Sequence, residues 1–191
     1  MRDPLRELQY APAPHARFKL HADCDRGRLP WARALGVQLA TLAASAARQP
    51  SAASASCRLH LSRTSALDIR AEILGSGAAW VGLAELLAFC RDRGVIVLHT
   101  TLPDGCKKAD GMALCPCGHP VIVSFNGRHS PAWQAFVIAH ELGHHVLGHI
   151  GANGEIFDGG LESDDDDDEE CAANRFAVEV LTGGEIFDGE A

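Results

Sequence analysis

The sequence predicts an α+β fold, a small mixed sheet backed by helices with an H-E-x-x-H helix at its centre. Three observations carry this expectation. Apolar runs of strand length alternate with stretches of helical periodicity between residues 65 and 147, in the order helix, strand, strand, strand, helix. Turn residues punctuate them, at Gly94, Pro103-Asp104-Gly105 and Asn126-Gly127. The last helix carries His140, Glu141 and His144 on an otherwise apolar stripe.

Composition narrows the function classes. The chain of 191 residues is 47% hydrophobic, enough for one globular core with an additional N-terminal segment. No stretch reaches the roughly 20 apolar residues of a membrane span, and the first 25 residues mix charge and proline, so a cytoplasmic protein is expected. The seven cysteines are odd in number and irregularly spaced, which suits reduced thiols. The net charge of −8 arises from the eight acids of residues 162 to 170; the remainder balances at 17 acidic and 17 basic residues. Direct nucleic-acid binding is not expected from so neutral a body.

Residues 1 to 29 read as an irregular leader with three prolines. From Pro30 to Arg48, Trp31, Leu35, Leu39, Leu42 and Ala46 keep helical spacing up to a Gln49-Pro50-Ser51-Ala52 linker. The N-terminal segment is therefore taken as residues 1–64 and the main domain as 65–191. A short strand is expected at 57 to 63, then a helix at 65 to 74 capped by Ser65 and stopped at Gly75. Trp80, Leu83, Leu87 and Cys90 line a second helix closed by Gly94, before a buried strand at Val95 to Leu98. Gly111 to Leu114 and Pro120 to Phe125 are further strands. The run Val121 to Phe125, if placed at the sheet edge, would pair with an extended peptide.

Ser130 as N-cap and Pro131 at the first position open the next helix, in which Trp133, Phe136, Val137, His140, His144 and Leu147 recur at helical spacing. His140 and His144 stand one turn apart on one face, within reach of one metal ion. Zinc accepts imidazole nitrogen at about 2.0–2.1 Å, and a catalytic zinc needs three protein ligands and one open position. Glu141 is placed to act as general base. His145 should point away from that face. His149 lies too far round to share the metal comfortably, but at the cleft rim it would suit an oxyanion.

Downstream, Ser163 to Glu169 reads as a solvated acidic loop. Glu170 and Asn174, at i and i+4, extend an apolar stripe of Ala173, Ala177, Val180 and Leu181. That register makes Glu170 the candidate third metal ligand and Asn174 a hydrogen-bond partner of a ligand. Alternatively Glu170 is the last acid of the run, favouring a helix N-terminus. Cys106, Cys115, Cys117 and His119 are spaced C-x8-C-x-C-x-H, without the C-x2-4-C knuckle of a second zinc site. The only tyrosine, Tyr10, is remote, leaving Arg175, His99 and His129 as further candidates for oxyanion stabilisation. The hexapeptide Gly-Glu-Ile-Phe-Asp-Gly occurs at 154 to 159 and at 184 to 189, too few copies for a repeat architecture.

With these residues in hand, the chain resembles the ImmA/IrrE family of zinc metallopeptidases. The resemblance runs over residues 65 to 182, through Leu83 to Leu87, Asp110 to Ala113, Pro120 to Val123, Phe136 to His144 and Glu170 to Ala177. It implies a zincin-like minimal metallopeptidase fold and a gluzincin-like site holding one zinc ion on His140, His144 and Glu170, with Glu141 as base. It also implies a protein substrate, a helix-turn-helix transcriptional repressor cleaved in a stress or mobile-element response. Residues 1 to 64 show no such DNA-binding domain, so the substrate is expected to be a separate chain. The competing class is a non-catalytic regulator that binds such a partner, with zinc structural and its fourth position closed by a carboxylate from Asp164 to Asp168.

Overall fold

The computed structural model describes residues 17–20, 29–47, 64–102, 109–125, 130–150 and 164–184. In chain order these form β1 (Arg17–Leu20), α1 (Leu29–Ala46), α2 (Ala66–Gly75), α3 (Leu83–Asp92), β2 (Ile96–Thr100), β3 (Ala109–Leu114), a 3-10 turn (Pro116–Gly118), β4 (Val121–Phe125), α4 (Pro131–Val146) and α5 (Asp164–Thr182). The expected strand at 57 to 63, the Asn126-Gly127 turn, Cys106 and the first hexapeptide lie outside the described residues. So does the second hexapeptide apart from Gly184.

The α+β architecture is as expected, and the mixed sheet has the order β1-β3-β4-β2. β4 runs parallel to β2 and antiparallel to β3, so it is an internal strand and not an edge. All five of its residues are buried. Val121-Ile122-Val123-Ser124-Phe125 is apolar almost without alternation, the pattern of a strand covered on both faces. Val121, Val123 and Phe125 pack with Ala40 and Ala44 of α1, whereas Ile122 joins the core made with α2, α3, α4 and α5. One sheet thus separates two apolar layers.

β1 is a second departure, because a strand forms where the leader was read as irregular. Main-chain pairing with β3 supplies what the local pattern lacks. In α1 the inward stripe is the leucine series only in part, through Leu35, which packs against the core. Gly36, Ala40 and Ala44 are buried, while Leu42 and Ala46 are exposed. Close approach selects these small residues: a Cβ at Gly36 would lie 2.0 Å from Met112 Sδ. Likewise α3 buries Leu86, Phe89 and Cys90, with Trp80 outside the helix and exposed and Leu87 marginally exposed.

The helix ends follow the expected chemistry. Ser65 and Asp68 form a reciprocal capping box on α2, which lowers the Asp68 carboxyl through the Ser65 hydrogen bonds. Gly94, at φ 70°, closes α3 by letting Val95 N–H donate back to Cys90 O at 2.8 Å. From α2, Arg70 Nη1 donates to Val180 O at 3.0 Å and Leu181 O at 2.7 Å, the carbonyls at the end of α5. A cation there complements the helix dipole and ties α5 to the body of the domain.

α5 begins inside the acidic run, which is therefore the first turns of a helix and not a loop. Ala173, Phe176, Ala177 and Val180 form the buried stripe. Phe176 seats against Gly143 of α4, where a Cβ would meet Phe176 Cδ1 at 3.0 Å. That close crossing brings Glu170 to the face of α4 that carries the histidines.

Candidate metal centre

His140, Glu141 and His144 are buried in the middle of α4, which is enclosed from Ala135 to Val146 except at the partly exposed Phe136 and His145. Ser130 caps the helix by accepting from Trp133 N–H at 3.3 Å. His140 Nε2 and His144 Nε2 lie 3.1 Å apart. Glu170 reaches over from α5, with Oε2 3.2 Å from His140 Nε2 and Oε1 3.4 Å from His144 Nε2. Its side chain is one-third exposed, so the pocket opens on that side.

The donor set fits a small cation. His140 Nδ1–H donates to Asn174 Oδ1 at 3.1 Å, which leaves Nε2 of the neutral ring as a lone pair. His144 Nδ1 and His149 Nδ1 share a proton across 2.9 Å; with that proton on His144, its Nε2 is also a lone pair. Two nitrogen lone pairs and a carboxylate then converge, an arrangement that repels itself unless a positive charge lies between them. Ligands about 2.0–2.1 Å from a tetrahedral zinc are about 3.3–3.4 Å apart. The observed spacings of 3.1, 3.2 and 3.4 Å match that edge length. The three residues could hold a metal ion, and among the described residues no other such group occurs.

Protonation agrees with ligation. Burial lowers the His144 pKa to about 4 against the opposing pull of Glu170, so the ring is neutral at physiological pH. For Glu170, burial alone would raise the carboxyl, but hydrogen bonds and charge from His140 and His144, where a proton or a cation sits between them and the carboxylate, outweigh it and hold it well below the usual carboxylate range. Asp168 is exposed and outside the cluster, so it does not close a fourth position.

His149 departs from the expectation of a rim residue. α4 ends at Leu147, Gly148 takes φ 79°, and His149 N–H donates back to His144 O at 3.0 Å. This is a Schellman closure, and it folds His149 over the residue three places before the cap. His149 therefore backs His144 as Asn174 backs His140. The signal was in the sequence, since a glycine after the helix with histidine next to it places those two imidazoles together. Of the other candidates, Arg175 and His99 are exposed, and His129 and Tyr10 lie outside the described residues.

His145 points away from the metal face, as expected, and its Nε2–H donates to Val121 O at 3.2 Å. Burial lowers its pKa to about 4, partly opposed by that hydrogen bond. The unfolded chain binds this proton below about pH 6.5, whereas the folded chain resists it down to about pH 4, so stability falls as pH drops through that window. His145→Gln, which keeps a donor for Val121 O, should reduce the fall of the urea midpoint of metal-free protein between pH 7 and 4.5, leaving the part that His144 contributes over the same window. An unchanged slope would remove His145 from the acid sensitivity.

A second residue missed by sequence reasoning is Gly111 of β3. A Cβ there would lie 2.6 Å from Glu141 Oε1 and 2.8 Å from Val137 Cγ1. The bare backbone of β3 is thus the wall that sets where Glu141 sits. Gly111→Ala should keep one zinc per chain but lower turnover about 10- to 100-fold by displacing the carboxylate. Wild-type turnover in that variant would show that the contact is not needed.

The thiols make no second centre among the described residues. Cys90, Cys117 and Cys171 are free, and burial pushes the Cys90 thiol up to about 12. No helix among the described residues is long and apolar enough to cross a membrane.

Neither the curated proteins nor the solved structures gave a match to this sequence. The family comparison did: the IrrE N-terminal-like domain, Peptidase_M78, matches residues 90–191. That span begins at the end of α3 and includes β2, β3, β4, α4 and α5, hence His140, Glu141, His144 and Glu170. Covering more than half of the chain, the match establishes that this protein belongs to the Peptidase_M78 family of IrrE N-terminal-like domains.

Proposed function

We propose that the chain is a cytoplasmic zinc endopeptidase that cleaves a helix-turn-helix transcriptional repressor in a stress or mobile-element response. The observation that carries the chemistry is the convergence of His140 Nε2, His144 Nε2 and the Glu170 carboxylate at 3.1 to 3.4 Å, beside the buried carboxylate of Glu141. His140, His144 and Glu170 would hold the ion, while Asn174 and His149 fix the two imidazoles by their Nδ1 atoms. A bound zinc supplies Lewis acidity, polarising the scissile carbonyl and acidifying water. Glu141 takes the proton of the attacking water and delivers it to the leaving amine.

The repressor substrate rests on the family relationship and on a chain whose charge, outside the acidic run, is balanced. Zinc-loaded protein incubated with candidate repressors should yield a discrete pair of fragments by intact mass, and little digestion of casein. Indiscriminate digestion of casein would contradict the narrow specificity. No cut in any candidate regulator would favour a binding role without catalysis.

A further inference from the structure

β3 is the strand that touches Glu141, through Gly111, and its two edges are used differently. One edge pairs with β4 inside the sheet. The other pairs with β1, antiparallel, with Arg17 opposite Ala113, Phe18 opposite Met112, Lys19 opposite Gly111 and, past a register shift, Leu20 opposite Ala109. β1 is therefore a strand of the chain's own N-terminal segment, lying about 4.8 Å from β3 and level with the residue that walls the carboxylate. A peptide brought to Glu141 by main-chain pairing with β3 has only this edge to use, because β4 fills the other.

We propose that the outer edge of β3 is the docking edge for an extended segment of the protein substrate, and that β1 is its built-in occupant, which the substrate must displace. This rests on the peptidase reading above. β1 is suited to exchange: it has four residues, its ladder is irregular between Lys19 and Leu20, and residues 21–28 join it to α1 at Leu29. Tethered by so short a link, it competes at an effective concentration on the order of millimolar. A free peptide at micromolar concentration is then excluded, whereas a segment presented by a docked protein meets β1 on equal terms. Narrow specificity follows from the occupied edge.

The test reads binding without turnover. In full-length protein carrying Glu141→Gln, a fluorescently labelled synthetic peptide of residues 14–23 is titrated against the chain with intact β1 and against Phe18→Pro with Lys19→Pro. Adjacent prolines remove the ladder donors of both parities. At least about tenfold tighter binding to the proline variant is expected. Equal binding, or none to either form while the melt stays cooperative, overturns the proposal. Hydrogen exchange in the unmutated strand gives an independent reading: excess unlabelled peptide should speed exchange at residues 17–20 at least about tenfold and leave 109–114 protected. Unchanged exchange at 17–20 also overturns it. A chain that exchanges its strand but cuts nothing supports the docking edge and refutes the peptidase reading instead.

Discussion

Glu141→Gln should bind one zinc per chain and melt like the parent, yet lose about 10²- to 10⁴-fold in turnover, the range that a positioned acid–base group contributes. The side chain is buried with its carboxylate against Gly111, so an amide of the same shape can occupy the space. What it loses is the capacity to take a proton at neutral pH. The separation of metal content from turnover identifies the role: a ligand would lose both, and a packing residue would lower the melting temperature. Undiminished cleavage by this variant would mean that another group moves the proton.

The second large effect is on metal retention. Glu170→Ala removes one of three converging donors and leaves the two Nε2 atoms, 3.1 Å apart, with an open third corner. Zinc affinity should fall by more than the roughly 10- to 100-fold typical of a supporting residue. Replacing Asp164 to Asp168 with serines should leave one zinc in place, because Asp168 is exposed and Glu170 lies further along the helix. That variant loses charge at the α5 N-terminus, so a modest drop in melting temperature is expected from the helix dipole. Elemental analysis after dialysis compares the two directly. Equal loss of zinc from both would deny Glu170 its distinct place.

The centre of the fold was legible because its signals are local. Helical spacing of His140 and His144, the Ser130 cap and the i to i+4 register of Glu170 and Asn174 each depend on a few neighbouring residues, and each appears where that spacing put it. The misread parts depend on what lies across a layer. Gly36, Ala40 and Ala44 face the sheet because Met112 comes close, which no periodicity of α1 alone reveals. β1 forms by pairing with a strand some ninety residues later. The internal position of β4 was written in its near-continuous apolar run, and alternation was the criterion that should have ruled out an exposed edge. His149 is the intermediate case, local in sequence but reached only through the positive φ of Gly148.

The most direct test of the metal centre is X-ray absorption at the zinc edge on the full-length chain reconstituted with one equivalent of zinc. A first shell of nitrogen and oxygen only, at about 2.0–2.1 Å, with the scattering pattern of two imidazoles that falls to one in His144→Ala, is the predicted result. A sulfur shell at about 2.3 Å would place the ion on the cysteines and contradict the account.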